Sequence, residues 1–218
     1  MRLRKYSYII TFLLPLLCGA QESDLGNWIL LFGNKKLNSK INWHHEVQYR
    51  NYDAIGDLEQ LLLRTGLGYE VADKTNLLLG YGFIRSENYA TEDDKIVVNE
   101  HRIFQQVITK QSVAKLRLQH RYRFEQRHVD GDFRLRFRYF LGLVYPLWKD
   151  SGSEKQLYLS AYNEIFLNTR NQAFDRNRLY GGLGYNLNSS YRFEVGYMNQ
   201  FLNASNRDQL NLVCFFNW

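Results

Sequence analysis

The chain has 218 residues, with 28 Lys and Arg against 22 Asp and Glu and a formal net charge of +6. That length allows one domain and leaves little room for two. The charge gives nucleic-acid binding little support: no basic tail is present, and Arg2, Arg4 and Lys5 sit in a leader whose removal lowers the net charge to about +3.

The leader reads Met1-Arg2-Leu3-Arg4-Lys5, then runs largely apolar over residues 6–17 and reaches Cys18-Gly19-Ala20, small residues of the kind a signal peptidase recognises. Residues 1–20 are expected to be a secretory signal peptide cleaved after Ala20, with residues 21–218 as the mature domain. Leu16-Leu17 stand where a lipoprotein signal carries small residues, so lipid attachment at Cys18 is disfavoured. Only Cys214 survives cleavage, which excludes an intramolecular disulfide. No later run reaches the roughly 18 apolar residues of a transmembrane helix.

From residue 26 onward, strand-like segments recur between turns rich in Asn, Asp, Gly and Ser. Residues 26–32 form a short candidate strand. Ile41, Trp43, His45, Val47 and Tyr49 then alternate with Asn42, His44, Glu46, Gln48 and Arg50. Leu61, Leu63, Leu67 and Tyr69 alternate with Gln60, Arg64, Gly68 and Glu70, and Leu77, Leu79, Tyr81 and Phe83 oppose Gly80 and Gly82. Residues 100–109 have no decisive parity. Residues 113–145 show the clearest alternation. Leu116, Leu118, His120, Tyr122 and Phe124 oppose Arg117, Arg121, Arg123 and Glu125; beyond a turn at His128-Val129-Asp130-Gly131, Phe133, Leu135, Phe137 and Tyr139 oppose Arg134, Arg136 and Arg138. The remaining segments keep the same pattern: Leu159 against Ser160 and Glu164, Leu183 against Gly182 and Gly184, Phe193 and Val195 against Glu194, and Leu210 and Leu212 against Gln209 and Asn211.

Side chains on a strand alternate sides, so each segment has one apolar and one polar face. An antiparallel transmembrane β-barrel has this pattern, with apolar residues toward lipid and polar ones toward the lumen. Spanning strands need roughly 9–11 residues, and about ten segments between Lys40 and Trp218 qualify. Even strand numbers are usual, so ten strands are expected, or twelve if another is hidden. With Trp218 at the periplasmic rim, the turns near 188–189, 149–155, 110–112 and 73–74 fall inside, and the loops at 51–57, 87–97, 171–176 and 203–207 fall outside. Trp43, Trp148 and Trp218 then share one rim, as an interfacial girdle requires. A soluble lipocalin-like barrel would reverse the faces, with the apolar one inward. Long strands with Leu, Phe and Tyr on one parity and a terminal aromatic favour the membrane.

In a narrow lumen, Arg117, Arg121, Arg123, Arg134, Arg136 and Arg138 crowd together and need partners. Glu46, Glu59, Glu70, Glu100, Glu125, Glu164 and Glu194 mostly share the polar parity and supply them, so a charge-paired network is expected, with an anion-attracting pore or binding site as the sharper alternative. His44 and His45 point to opposite faces. No motif asks for a metal or a cofactor. A lipid-modifying barrel enzyme would need a Ser-His pair; His120 has no serine near it in sequence, and Ser160 sits on the lumen parity.

Several blocks in order along the chain resemble the family of uncharacterised bacterial outer-membrane proteins called DUF2490. They are Asp24-Leu25-Gly26-Asn27-Trp28, Glu46-Val47-Gln48-Tyr49-Arg50, Leu62-Leu63-Arg64-Thr65-Gly66, Asn99-Glu100-His101-Arg102-Ile103-Phe104-Gln105-Gln106, Arg136-Phe137-Arg138-Tyr139, Tyr162-Asn163-Glu164-Ile165-Phe166 and Asp175-Arg176-Asn177-Arg178. The resemblance implies a β-barrel in the outer membrane and no assigned activity. The partners expected on this reading are outer-membrane lipid and, through the C-terminal strand, the barrel-assembly machinery, with no nucleic acid.

Overall fold

The computed structural model describes residues 25–53, 56–170 and 172–218. The expected signal peptide lies outside the described residues. Among the described residues all regular structure is strand: β1 (Gly26–Lys36), β2 (Ile41–Asn51), β3 (Leu58–Ala72), β4 (Thr75–Tyr89), β5 (Lys95–Val113), β6 (Leu116–Val129), β7 (Asp132–Lys149), β8 (Gln156–Asn168), β9 (Phe174–Asn186), β10 (Tyr191–Phe201) and β11 (Asn206–Asn217). Each strand pairs antiparallel with the next, and the sheet closes between β1 and β11. Closure satisfies every edge, which is the condition for strands to persist without an exposed row of unpaired amides.

The all-β barrel expectation holds, with eleven strands rather than ten or twelve among the described residues. The odd number has a topological consequence. In a meander of hairpins the first and eleventh strands run the same way, so the closing pair must be parallel. Its register runs from Gly26 opposite Gln209 to Asn34 opposite Asn217. The residues expected as a short extra segment, 26–32, therefore belong to a full strand of 11 residues. The alternation test missed it because β1 is apolar on both faces: Trp28 and Leu30 point inward and are buried, while Ile29 and Leu31 point outward.

Turn chemistry fixes most of the register. Asp130 and Gly131 both have positive φ (45° and 85°), the two-residue type I′ geometry that suits strand twist and favours Asp-Gly. Asp73-Lys74 closes β3–β4 where the sequence places a turn, with Lys74 at φ 64°. The turn expected at 110–112 instead falls at Ala114-Lys115, with Ala114 at φ 52°, because β5 continues to Val113. The expected contrast of short inner turns and longer outer loops is weak. Connections at the Trp218 end (37–40, 73–74, 114–115, 150–155, 187–190) match in length those at the other end (52–57, 90–94, 130–131, 169–173, 202–205).

The faces sort as the polar parity predicts. Leu67, Leu79, Leu179, Val195 and Leu212 are exposed outside, whereas Arg64, Arg102, Arg123, Glu125, Arg136 and Glu164 are buried inside. Outward polar groups in the belt pair with one another: Gln105 with Gln126 (3.1 and 3.3 Å), Tyr81 with His101 (2.6 Å) and Asn163 with Asn177 (2.8 and 3.2 Å). Inside, glycines make room for rings. A Cβ on Gly80 would overlap Phe104, and one on Gly184 would overlap Tyr158.

Candidate functional site

The β6–β7 register builds the centre of the lumen. Arg123 lies opposite Arg138, and Glu125 opposite Arg136. Like charges facing each other across a ladder repel, so the diagonal carboxylate is what makes this pairing tenable. Glu125, fully buried, meets four guanidiniums: Arg136 at 2.7 Å, Arg138 at 2.8 Å, Arg102 at 3.5 Å and Arg123 at 3.7 Å. Arg138 spans two acids, reaching Glu125 through Nη1 and Glu164 through Nη2 (2.7 Å). Arg121 joins the same Glu164 at 2.7 Å. Arg136 turns its remaining nitrogen to Asp175 at 3.1 Å.

Neighbouring strands extend this hub. Arg127 donates through Nε and Nη2 to the two oxygens of Glu100 (2.7 and 2.8 Å), a bidentate fork that combines geometric fit with charge. Arg102 also donates to Glu100, from Nε at 2.7 Å. Arg64 pairs with Glu46 at 2.6 Å, and Gln48 donates to the same carboxylate. Rings fill the gaps between the charges. Arg123 lies over Phe104 at 4.6 Å, Arg121 over Phe140 at 4.5 Å and Arg138 over Phe166 at 4.3 Å. Such stacking stabilises a guanidinium where water is excluded.

Of the network residues named from the sequence, Arg121, Arg123, Arg136, Arg138, Glu125 and Glu164 are brought together, Glu100 is tied to them through Arg102, and Glu46 forms its own pair with Arg64. Others stand apart. Arg117 is exposed toward the Trp218 end and donates to Gln156 at 3.0 Å. Arg134 is exposed at the other rim and pairs with Asp132 at 2.8 Å. Glu194 accepts from Tyr158 (2.8 Å) and Ser160 (3.1 Å) on another part of the wall. Arg64, Arg102, Arg127 and Asp175 lie outside the set read from the sequence. Arg102 lies on β5, where inward Phe104 and outward His101 and Gln105 blur the parity.

Elsewhere the lumen holds an apolar cluster among buried polar side chains. Trp28, Leu30, Tyr180, Met198 and Val213 form a buried cluster with Phe32, Tyr162 and Phe215 packed against it. Tyr162 and Tyr180 stack at 4.7 Å.

His120 and Ser160 lie on opposite faces of the barrel wall. His120 faces outward and bonds to Tyr139 (2.9 Å) and Gln111 (3.0 Å), while Ser160 is held by Glu194 on the inner face. His44 faces inward beside Glu46 (3.6 Å); His45 faces outward among Trp43, Phe216 and Trp218. Among the described residues no three His, Cys, Asp or Glu side chains converge as a metal site.

Comparison with known proteins adds a family and no activity. An uncharacterised protein of Methylorubrum extorquens strain AM1 is 32% identical over 188 residues, covering 83% of this chain and 78% of its own length. A family described as a protein of unknown function, DUF2490, matches residues 25–211. The chain, an eleven-stranded closed barrel with charges inside and apolar residues outside, belongs to the DUF2490 family.

Proposed function

We propose that the chain is an outer-membrane β-barrel whose lumen is closed at mid-height by the arginine–carboxylate hub, and that it binds a solute rather than forming an open pore. One observation carries the membrane reading: the burial pattern is inverted relative to a soluble barrel. Leu67 and Leu79 are 58% and 59% exposed on the outside, whereas Glu125 is 0% exposed within. In water such an outer face would be a large unfavourable apolar surface; in lipid it is the favourable one.

Strand lengths and aromatic positions agree. The strands run from 11 to 19 residues, above the roughly 9–11 that a tilted strand needs to span a bilayer. Exposed Trp43, Trp148 and Trp218 ring one end, and Tyr89, Phe133 and Phe201 ring the other. On β7, Phe133 and Tyr145 both face outward and lie twelve residues apart. At about 3.3 Å per residue and a tilt of about 40°, that separation is about 30 Å, the thickness of a hydrocarbon core. In this setting the C-terminal strand β11, with Phe216 near its end and Trp218 just beyond it, is the segment offered to the barrel-assembly machinery.

The closed lumen follows from the hub and its rings, which are buried at mid-height. Fractionation tests the location: the mature protein is expected in the outer membrane, soluble only with detergent, and heat-modifiable on gels. Recovery as a soluble periplasmic protein overturns the reading. Planar-bilayer recording tests closure. The wild type is expected to conduct weakly or not at all, and a steady large conductance would identify an open pore.

A further inference from the structure

The arginines of the hub share carboxylates, but two buried arginines do not. Trp28 lies opposite Arg50 across the β1–β2 ladder and opposite Asn211 across the β1–β11 ladder. The Arg50 guanidinium carbon sits 3.7 Å from the centroid of the Trp28 ring, and that of Arg178, reaching from β9, sits 4.8 Å from the same centroid. Both arginines are only 6% exposed.

Their hydrogen-bond partners are neutral. Arg50 donates to Gln48 (3.1 and 2.5 Å) and Gln60 (2.6 Å). Arg178 donates through Nε to Gln200 at 2.8 Å, and neither of its Nη groups has a hydrogen-bond acceptor among the described residues. No carboxylate lies within 4.0 Å of either guanidinium among those residues. The acids that act on them are engaged elsewhere: Glu59 pairs with Arg207 at 2.5 Å, and Glu164 with Arg121 and Arg138. Across the β1–β11 ladder, the indole N–H of Trp28 and the side-chain amides of Asn211 and Gln209, nitrogen and oxygen alike, are buried without hydrogen-bond partners.

Two cations sharing one ring repel, and cation–π attraction offsets only part of the cost of burying them. The geometry points to a binding site for one small oxyanion, carboxylate- or phosphate-sized, held between Arg50 and Arg178 over Trp28. A guanidinium fork matches two oxygens of either group, and the indole and amide N–H groups supply further donors. The ladders on both sides of Trp28 are continuous, so the ligand enters through the barrel mouth and is a water-soluble anion rather than a lipid headgroup. Trp28, Arg50 and Arg178 all lie toward the end away from Trp218.

This inference rests on the solute-binding reading and names its ligand class. The test is calorimetric titration of inorganic phosphate, and separately acetate, into the full mature barrel in detergent micelles at constant ionic strength. Saturable binding of one anion per barrel is expected, with a dissociation constant of about 1 mM or below. Arg178→Gln is expected to weaken it at least about tenfold, Arg178→Lys to weaken it less, and Arg134→Gln to leave it unchanged. Folding of each variant is read from its heat-modifiable band. Absence of saturable binding to the wild type overturns the site, whatever the variants do. Equal weakening by Arg134→Gln and Arg178→Gln also overturns it, because that pattern reports overall charge. Because the titration is done in micelles, it stands apart from fractionation: a protein found outside the membrane can still bind the anion, and a membrane barrel can fail to.

Discussion

The lumen has two unlike walls. Around β2, β3 and β5–β8 it is filled by guanidiniums and carboxylates in direct contact; around β1 and β9–β11 Trp28, Leu30, Tyr180 and Met198 pack together beside the buried amides of Gln200, Gln209 and Asn211. Both walls exclude water, but for different reasons. The apolar wall is stabilised by burial itself and needs no partner to be specified. The charged wall pays a desolvation cost that only complete pairing offsets, so each of its residues depends on the others. The contrast teaches that the charged wall is the fragile one, and that the border between them, at Trp28, Arg50 and Arg178, is where pairing is incomplete.

The largest expected effect comes from breaking the charged wall at its centre. Glu125→Gln leaves four guanidiniums around a neutral amide. It is expected to cost about 3–5 kcal/mol, measured by urea unfolding in micelles with the gel shift as readout. A cost near zero would mean the walls are not different in kind. On the apolar wall, Met198→Ala removes a fully buried side chain and is expected to cost about 2–5 kcal/mol, with no change in the effect of added salt. A strong salt dependence of that variant would show that the apolar wall leans on the charged one.

At the rims both contrasts should vanish. Arg134→Gln breaks an exposed pair with Asp132 and is expected to leave the unfolding midpoint unchanged within error. The smallest effect is a local one with pH, in the connection 52–57. Partial burial works against the Asp57 carboxylate, but Lys95 and Tyr89, which both donate to it, hold it below the usual carboxylate range. A depressed value contributes stability that is full above the unfolded value of about 3.9 and is lost as pH falls through the folded one. Hydrogen exchange at the Tyr52 amide, which bonds to the Asp57 carbonyl, is therefore expected to be protected equally from pH 7 to about 4 and to lose protection below it, relative to central strands. Uniform loss across the barrel would point to global acid unfolding instead.

Much of the barrel is legible from alternation, because a strand's side-chain period of two is independent of what surrounds it. Thus the inward parity of Arg123, Glu125, Arg136 and Arg138 can be read along the chain. The parity of β5 cannot, since an inward Phe104 and an outward His101 are tolerated only because Arg123 stacks on the one and Tyr81 bonds the other. Nor can β1, whose two apolar faces meet a lumen cluster on one side and the outer belt on the other. Missing β1 is also what leaves the strand number at ten and hides the parallel seam.

The sequence alone determines that the chain alternates, that its charges share one face and where most of its turns fall, because these depend on local spacing and on residues that tolerate positive φ. Which arginine meets which carboxylate is decided only by strand register and closure. Glu125 reaches Arg102 on β5 and Arg136 and Arg138 on β7, and Arg178 crosses from β9 to Trp28 on β1, contacts set by ladder register and by the curvature that brings distant strands across one lumen. No local rule contains that curvature, so the chain announces a charged face, and the closed barrel decides which charges on it find a partner.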